Sequence, residues 1–67
     1  MKKEQIVSQD PRVMHGTLVF AGTRVPVKSL IQHLVAGDSL DIFLDGFPTV
    51  SREQAVAYLE MTLEFIV

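Results

Sequence analysis

Asp38, Asp41 and Asp45 recur at helical spacing, and three carboxylates on one helical face are the nearest this chain comes to a metal site. A solvated acidic face, favoured near a helix N-terminus by the dipole, explains them more simply. His15 and His33 are the two histidines, and neither sits beside a motif that would make it a base. His33 falls on the polar side of a helix near its C-terminus, where the dipole favours an imidazolium, so a surface role is expected for it. There is no phosphate loop, no nucleophile elbow and no HExxH zinc motif. No catalytic residue, metal or cofactor is therefore expected.

Two other groups suit binding. Gly22, Thr23 and Arg24 stand between the apolar, β-prone runs LVF and VPV. Such runs predict a hairpin or tight corner, with Gly22 at the position most in need of a positive φ. Pro26 cannot donate to a ladder, so the second run lies at an edge or ends there. The corner would push Thr23 and Arg24 outward on a rigid base. A hydroxyl and a cation held that way suit an anionic partner, or they close the turn. The second group is Ser51, Arg52 and Gln54. These open an apolar helix after a short turn, the layout of a helix-turn-helix. Arg and Gln read base edges well, and Ser can bond phosphate. Lys28 and Arg24 would supply basic support. Against DNA contact, Glu53, Glu60 and Glu64 share that helix and repel phosphates.

The elements that must carry these residues are short. The chain has 67 residues, one domain's worth, and a domain this small buries only about 60% of its unfolded surface. With no cysteine, no disulfide or thiolate metal site can staple it. Yet 48% of the residues are hydrophobic, too many for a disordered peptide and many for so small a monomer to hide. An oligomer or a partner is expected. No apolar run approaches the ~20 residues needed to span a bilayer. The N-terminal MKKEQIVSQDP lacks the apolar core of a signal peptide, and a cytoplasmic location is the default expectation. Charge is uneven. Residues 1–28 hold Lys2, Lys3, Arg12, Arg24 and Lys28 against Glu4 and Asp10, whereas residues 29–67 hold only Arg52 against six acids. That asymmetry predicts a basic face and an acidic face, although ordinary surface charge gives the same count.

Residues 1–10 are polar and expected to be flexible, residues 11–26 to form the β element, and residues 27–67 to form three helices. Asp10-Pro11 favours a turn, and Val13-Met14 a short extended piece. Val27, Leu30, Ile31, Leu34 and Val35 form a one-sided stripe that predicts the first helix, entered at Pro26 and stopped by Gly37. Asp38 or Ser39 caps the second, with Leu40, Phe43 and Leu44 inward; Gly46 ends it and Pro48 forbids its continuation. The third starts at Ser51, where Gln54 completes an S-R-E-Q capping box, with Thr49 a weaker rival cap. Its apolar residues divide into two faces. Ala55, Val56, Leu59, Leu63 and Ile66 make one; Tyr58, Met61 and Phe65 make the other. The second face suits a homodimer, or both faces enter one wide core.

The order of motifs resembles the bacterial "domain of unknown function 433" family. The matching segments are DP-x-V-x-x-G, VFAGTRVPV, a helix closing in AGDSL, and FLDGFPTVSREQA, together covering residues 10–60. The resemblance implies a homeodomain-like trihelical fold with a small N-terminal β element. Members are commonly labelled antitoxins, often encoded beside a PIN-like ribonuclease toxin. Gly22, Thr23 and Arg24 fall on the family's GTR turn. Gly37 falls on its helix-stop glycine, Phe47-Pro48 on its aromatic–proline pair, and Ser51 on its last cap. The chain departs at Gly46, where the family usually has an acid, and its final MTLEFIV is unusually apolar.

The expected protein is thus a mainly α, homeodomain-like three-helix domain with a short N-terminal β-hairpin or corner. Its expected role is that of a non-catalytic, antitoxin-like module. It would bind a PIN-like nuclease toxin through Thr23 and Arg24, dimerise through Tyr58, Met61 and Phe65, and touch DNA through Ser51, Arg52, Gln54 and Lys28. The alternatives are a helix-turn-helix DNA-binding regulator and a homodimeric structural module.

Overall fold

The computed structural model describes residues 1–9, 11–12 and 16–66, the side chains of 65 and 66 excepted. The readings made at Asp10, Val13, Met14 and His15, and the Phe65 side chain, lie outside those residues. The chain is mainly helical. Four helices, α1 (Lys3–Ile6), α2 (Val27–Val35), α3 (Leu40–Gly46) and α4 (Arg52–Ile66), accompany two short strands, β1 (Val7–Ser8) and β2 (Val19–Phe20).

The three long helices stand where periodicity and punctuation put them. Gly37, at φ +93°, closes α2 as a Schellman motif: its N–H bonds the Leu34 carbonyl, and the Asp38 N–H bonds that of His33. The Ser39 hydroxyl accepts from Ile42 N and caps α3. The Ser51 hydroxyl accepts from Gln54 N at 3.0 Å and caps α4.

The N-terminus departs from expectation. Residues 3–8, expected to be flexible, form α1 and β1 and place Ile6 and Val7 in the core. The reason is pairing at long range. β1 lies antiparallel to β2, with Val7 opposite Phe20 and Ser8 opposite Val19. The β element therefore draws its first strand from outside residues 11–26. The other edge of β2 meets the VPV run: Phe20 N bonds Val25 O, Val27 N bonds Leu18 O, and Val19 bridges Pro26. Pro26 sits at that edge, where its missing N–H costs no ladder bond.

Gln54 is the largest correction. Expected as a base reader and as half of a capping box, it is 6% exposed. Its amide nitrogen donates to the carbonyls of Gln5 (3.2 Å), Ile6 (3.2 Å) and Ala21 (2.9 Å). The serine half of the capping box forms, while the glutamine turns inward to join α1, the corner and α4.

The core gathers Ile6, Val7, Phe20, Val27, Leu30, Phe43, Val50 and Ala55. Tyr58 and Met61 pack against it rather than forming a free second face. The Tyr58 ring stands edge-on to Phe20, 5.7 Å between centroids. The α4 residues that face outward are instead Arg52, Glu53, Val56, Glu60, Leu63 and Glu64. Tyr58 and Met61, expected as the dimer contact, are half-buried against the domain's own core, which leaves less of each to meet a second copy.

Gln54→Leu should destabilise the fold by about 1–2 kcal/mol, since it removes the donor to the part-buried Gln5 and Ala21 carbonyls and leaves Ile6 O with only the Ala21 N–H. Urea unfolding measures the loss, and amide exchange should show residues 3–8 losing protection before α2. Gly22→Val should cost about 1–2 kcal/mol through strain at its φ of +77°, because no atom lies within 4 Å of the added Cβ to clash with it. A Gly22→Val variant as stable as wild type in the same titration would refute the strain.

Candidate functional site

The GTR corner forms one wall of an open groove. Phe20 to Thr23 close a tight turn, Thr23 N bonding the Phe20 carbonyl at 3.0 Å. Gly22 is its third residue, with the φ a type II turn requires there. The Thr23 hydroxyl then works inside the corner. It donates to Phe20 O at 2.8 Å and accepts from Val25 N at 3.1 Å. Of the two expected outcomes for Thr23, its hydrogen bonds match turn closure. Arg24 beside it remains exposed.

Side chains alternate across a strand, so Val19 points away from the side taken by Phe20. Ser8, Val19 and Pro26 are direct cross-strand partners and share that second side. This row, with Val25 and Phe47, gives the groove an apolar floor. Ser8, Thr23, Arg24 and Thr49 supply its polar lining, and the space enclosed is about 690 Å³. Arg24 is the single cation in that lining, and no carboxylate shares it.

Phe47 ties the groove to the core. Its ring lies 4.9 Å from Phe43, and His33 stands edge-on to both, 5.5 Å from Phe43 and 5.8 Å from Phe47. His33 Nδ1 meets Asp38 Oδ2 at 3.0 Å. That pairing holds the α2–α3 connection, which is a structural use of the histidine.

The expected DNA-reading residues do not assemble into one cationic surface. Gln54 is buried, Arg52 pairs with Asp41 on α3, the Ser51 hydroxyl is occupied as a cap, and Lys28 sits exposed on α2. The outward face of α4 carries Glu53, Glu60 and Glu64. The three aspartates disperse as well. Asp38 goes to His33, Asp41 to Arg52, and Asp45 to the surface. Among the described residues, no cluster of three or more His, Cys, Asp or Glu could hold a metal. No described helix is long and apolar enough to cross a membrane.

Sequence reasoning found the corner and missed the rest of the groove. Ser8 lay in the stretch read as flexible. Phe47 and Thr49 lie in the α3–α4 connection, which showed only punctuation. The apolar Phe47 before Pro48, in an otherwise polar turn, was the one local signal.

No solved structure matches the chain significantly. Among curated proteins it is similar to "Uncharacterized protein y4eO" of Sinorhizobium fredii (strain NBRC 101917 / NGR234), 36% identical over 50 residues. Those residues make up 75% of this chain but 23% of the relative, so the chain spans about a quarter of that protein's length. The family model described as Protein of unknown function (DUF433) matches residues 7–60, from the first strand through most of α4, and the chain belongs to that family.

Proposed function

We propose that the domain is a non-catalytic, antitoxin-like interaction module in the cytoplasm, and that the groove beside the GTR corner is where its protein partner docks. One observation carries the reading: Arg24 is an exposed cation at the rim of a preformed apolar groove, with no carboxylate in the lining to neutralise it. An apolar floor with a few polar groups at its edge is the usual constitution of a recognition site. A nuclease of the PIN-like kind, whose active site is acidic, offers matching carboxylates. Arg24 is also the residue type most often found at the energetic centre of an interface.

A DNA-binding role has less support. Non-specific affinity comes from cations laid along phosphates. Here the helix that would enter a groove turns three glutamates outward, buries its glutamine and pairs its arginine.

The product of an adjacent nuclease-like reading frame should be captured by the purified domain. Arg24→Ala should weaken capture about tenfold, roughly 1.4 kcal/mol, and Arg24→Glu should abolish it. Arg52→Ala should leave it unchanged. Titration calorimetry on the three variants measures this, and an Arg24→Glu domain that binds as tightly as wild type would overturn the assignment.

A further inference from the structure

Two helices present outward stripes that are opposite in charge and alike in apolar content. On α2, Lys28, Ile31 and Val35 are exposed at i, i+3 and i+7, so they share one face. Ile31 is 37% exposed and Val35 82%. On α4, Val56, Glu60 and Leu63 are exposed at i, i+4 and i+7, with Glu53 and Glu64 beside them. Val56 is 37% exposed and Leu63 59%. Each stripe therefore spans about 10 Å of helix, at 1.5 Å per residue. Neither belongs to the groove beside the corner, whose lining contains none of these residues.

Aliphatics grouped on one helix face, rather than scattered singly, favour a partner that covers them. The uneven charge of the chain supplies the pairing. The α2 stripe holds a lysine and no acid, and the α4 stripe holds three acids; Arg52 at its N-terminal end is already paired with Asp41, and Met1 and Lys3 lie along its edge beside Glu60 and Glu64. Each is a poor match for itself, because pairing α4 with α4 would set glutamates against glutamates. Each is a good match for the other. Leu63 has Glu60 one turn before it and Glu64 directly after it. Seating Ile31 on Leu63 with the two helices parallel thus brings Lys28 towards Glu60, each one turn before its aliphatic neighbour.

From this complementarity we propose that two copies of the domain form a reciprocal two-fold dimer. The α2 stripe of each copy packs on the α4 stripe of the other. A self-complementary interface of this type closes on itself and does not propagate. It leaves the corner groove of each copy free for another partner. The interface uses the outward face of α4, so it does not compete with the core for Tyr58 and Met61.

Sedimentation of the purified domain alone should give a mass of two chains at micromolar concentration. Val35→Glu and Leu63→Glu alter exposed positions and should keep the wild-type circular dichroism while shifting the mass to one chain. Lys28→Glu alone, and Glu60→Lys with Glu64→Lys in one chain, should each raise the dimer dissociation constant at least about tenfold, which corresponds to about 1.4 kcal/mol. Mixing those two charge-reversed proteins should restore a dimer containing one of each, read by native mass spectrometry. A single-chain mass for the wild type, a mass that grows without limit, or no recovery on mixing would each overturn the proposal. None of these measurements involves the partner of the corner groove.

Discussion

The carboxamide of Gln54 holds together parts of the chain that have little else to hold them. It is the one polar side chain buried among the described residues. A helix of four residues and strands of two have almost no stability of their own. The last two carbonyls of α1 turn towards α4, and a buried acceptor left unmet is expensive. One amide nitrogen on α4 meets two carbonyls from the end of α1 and a third from the corner. Ile6 and Val7 can then enter the core beside Phe20, and β1 can pair with β2. The groove inherits this arrangement, because Ser8 reaches it only if β1 is in place.

That dependence also explains which parts of the fold were legible. The ends of α2, α3 and α4 are written in local chemistry: a glycine at positive φ just after α2, and serines immediately before the first residues of α3 and α4. Such signals act over three or four residues and survive folding unchanged. The role of Gln54 does not. A glutamine three residues after a capping serine satisfies two patterns at once, and carbonyls 33 to 49 positions away decide between them. The same applies to the facing of α4. Apolar residues surround most of that helix, so spacing alone leaves its rotation open. The ring of Phe20 settles it by drawing Tyr58 inward, and Val56 and Leu63 are left outside.

The candidate site was half legible for a related reason. Gly22 and Arg24 stood out because a tight corner has a compositional signature. Ser8 and Thr49 have none, and Phe47 shows only as an apolar residue before Pro48, since each reaches the groove only through an element packed from elsewhere in the chain. The charge asymmetry was visible in the sequence as a count, but the structure does not sort it into two faces: Met1 and Lys3 lie beside the glutamates of α4. Arg52, the one cation of the second part, pairs with Asp41 between α3 and α4, so the exposed glutamates of α4 have no unpaired cation on their own helix.

The Thr23 hydroxyl bridges Phe20 O and Val25 N from within the turn. The corner is consequently finished before anything arrives. A loop that must be ordered on contact charges its ordering entropy to the complex, whereas a corner already closed by its own side chain does not. Encounter then requires only that a partner find the right orientation, and selectivity passes from backbone shape to the groups at the rim. On the docking role proposed for the groove, exchanging Arg24 or Thr49 would retune the partner without disturbing the turn, while exchanging Thr23 would remove the rigidity that made the tuning possible.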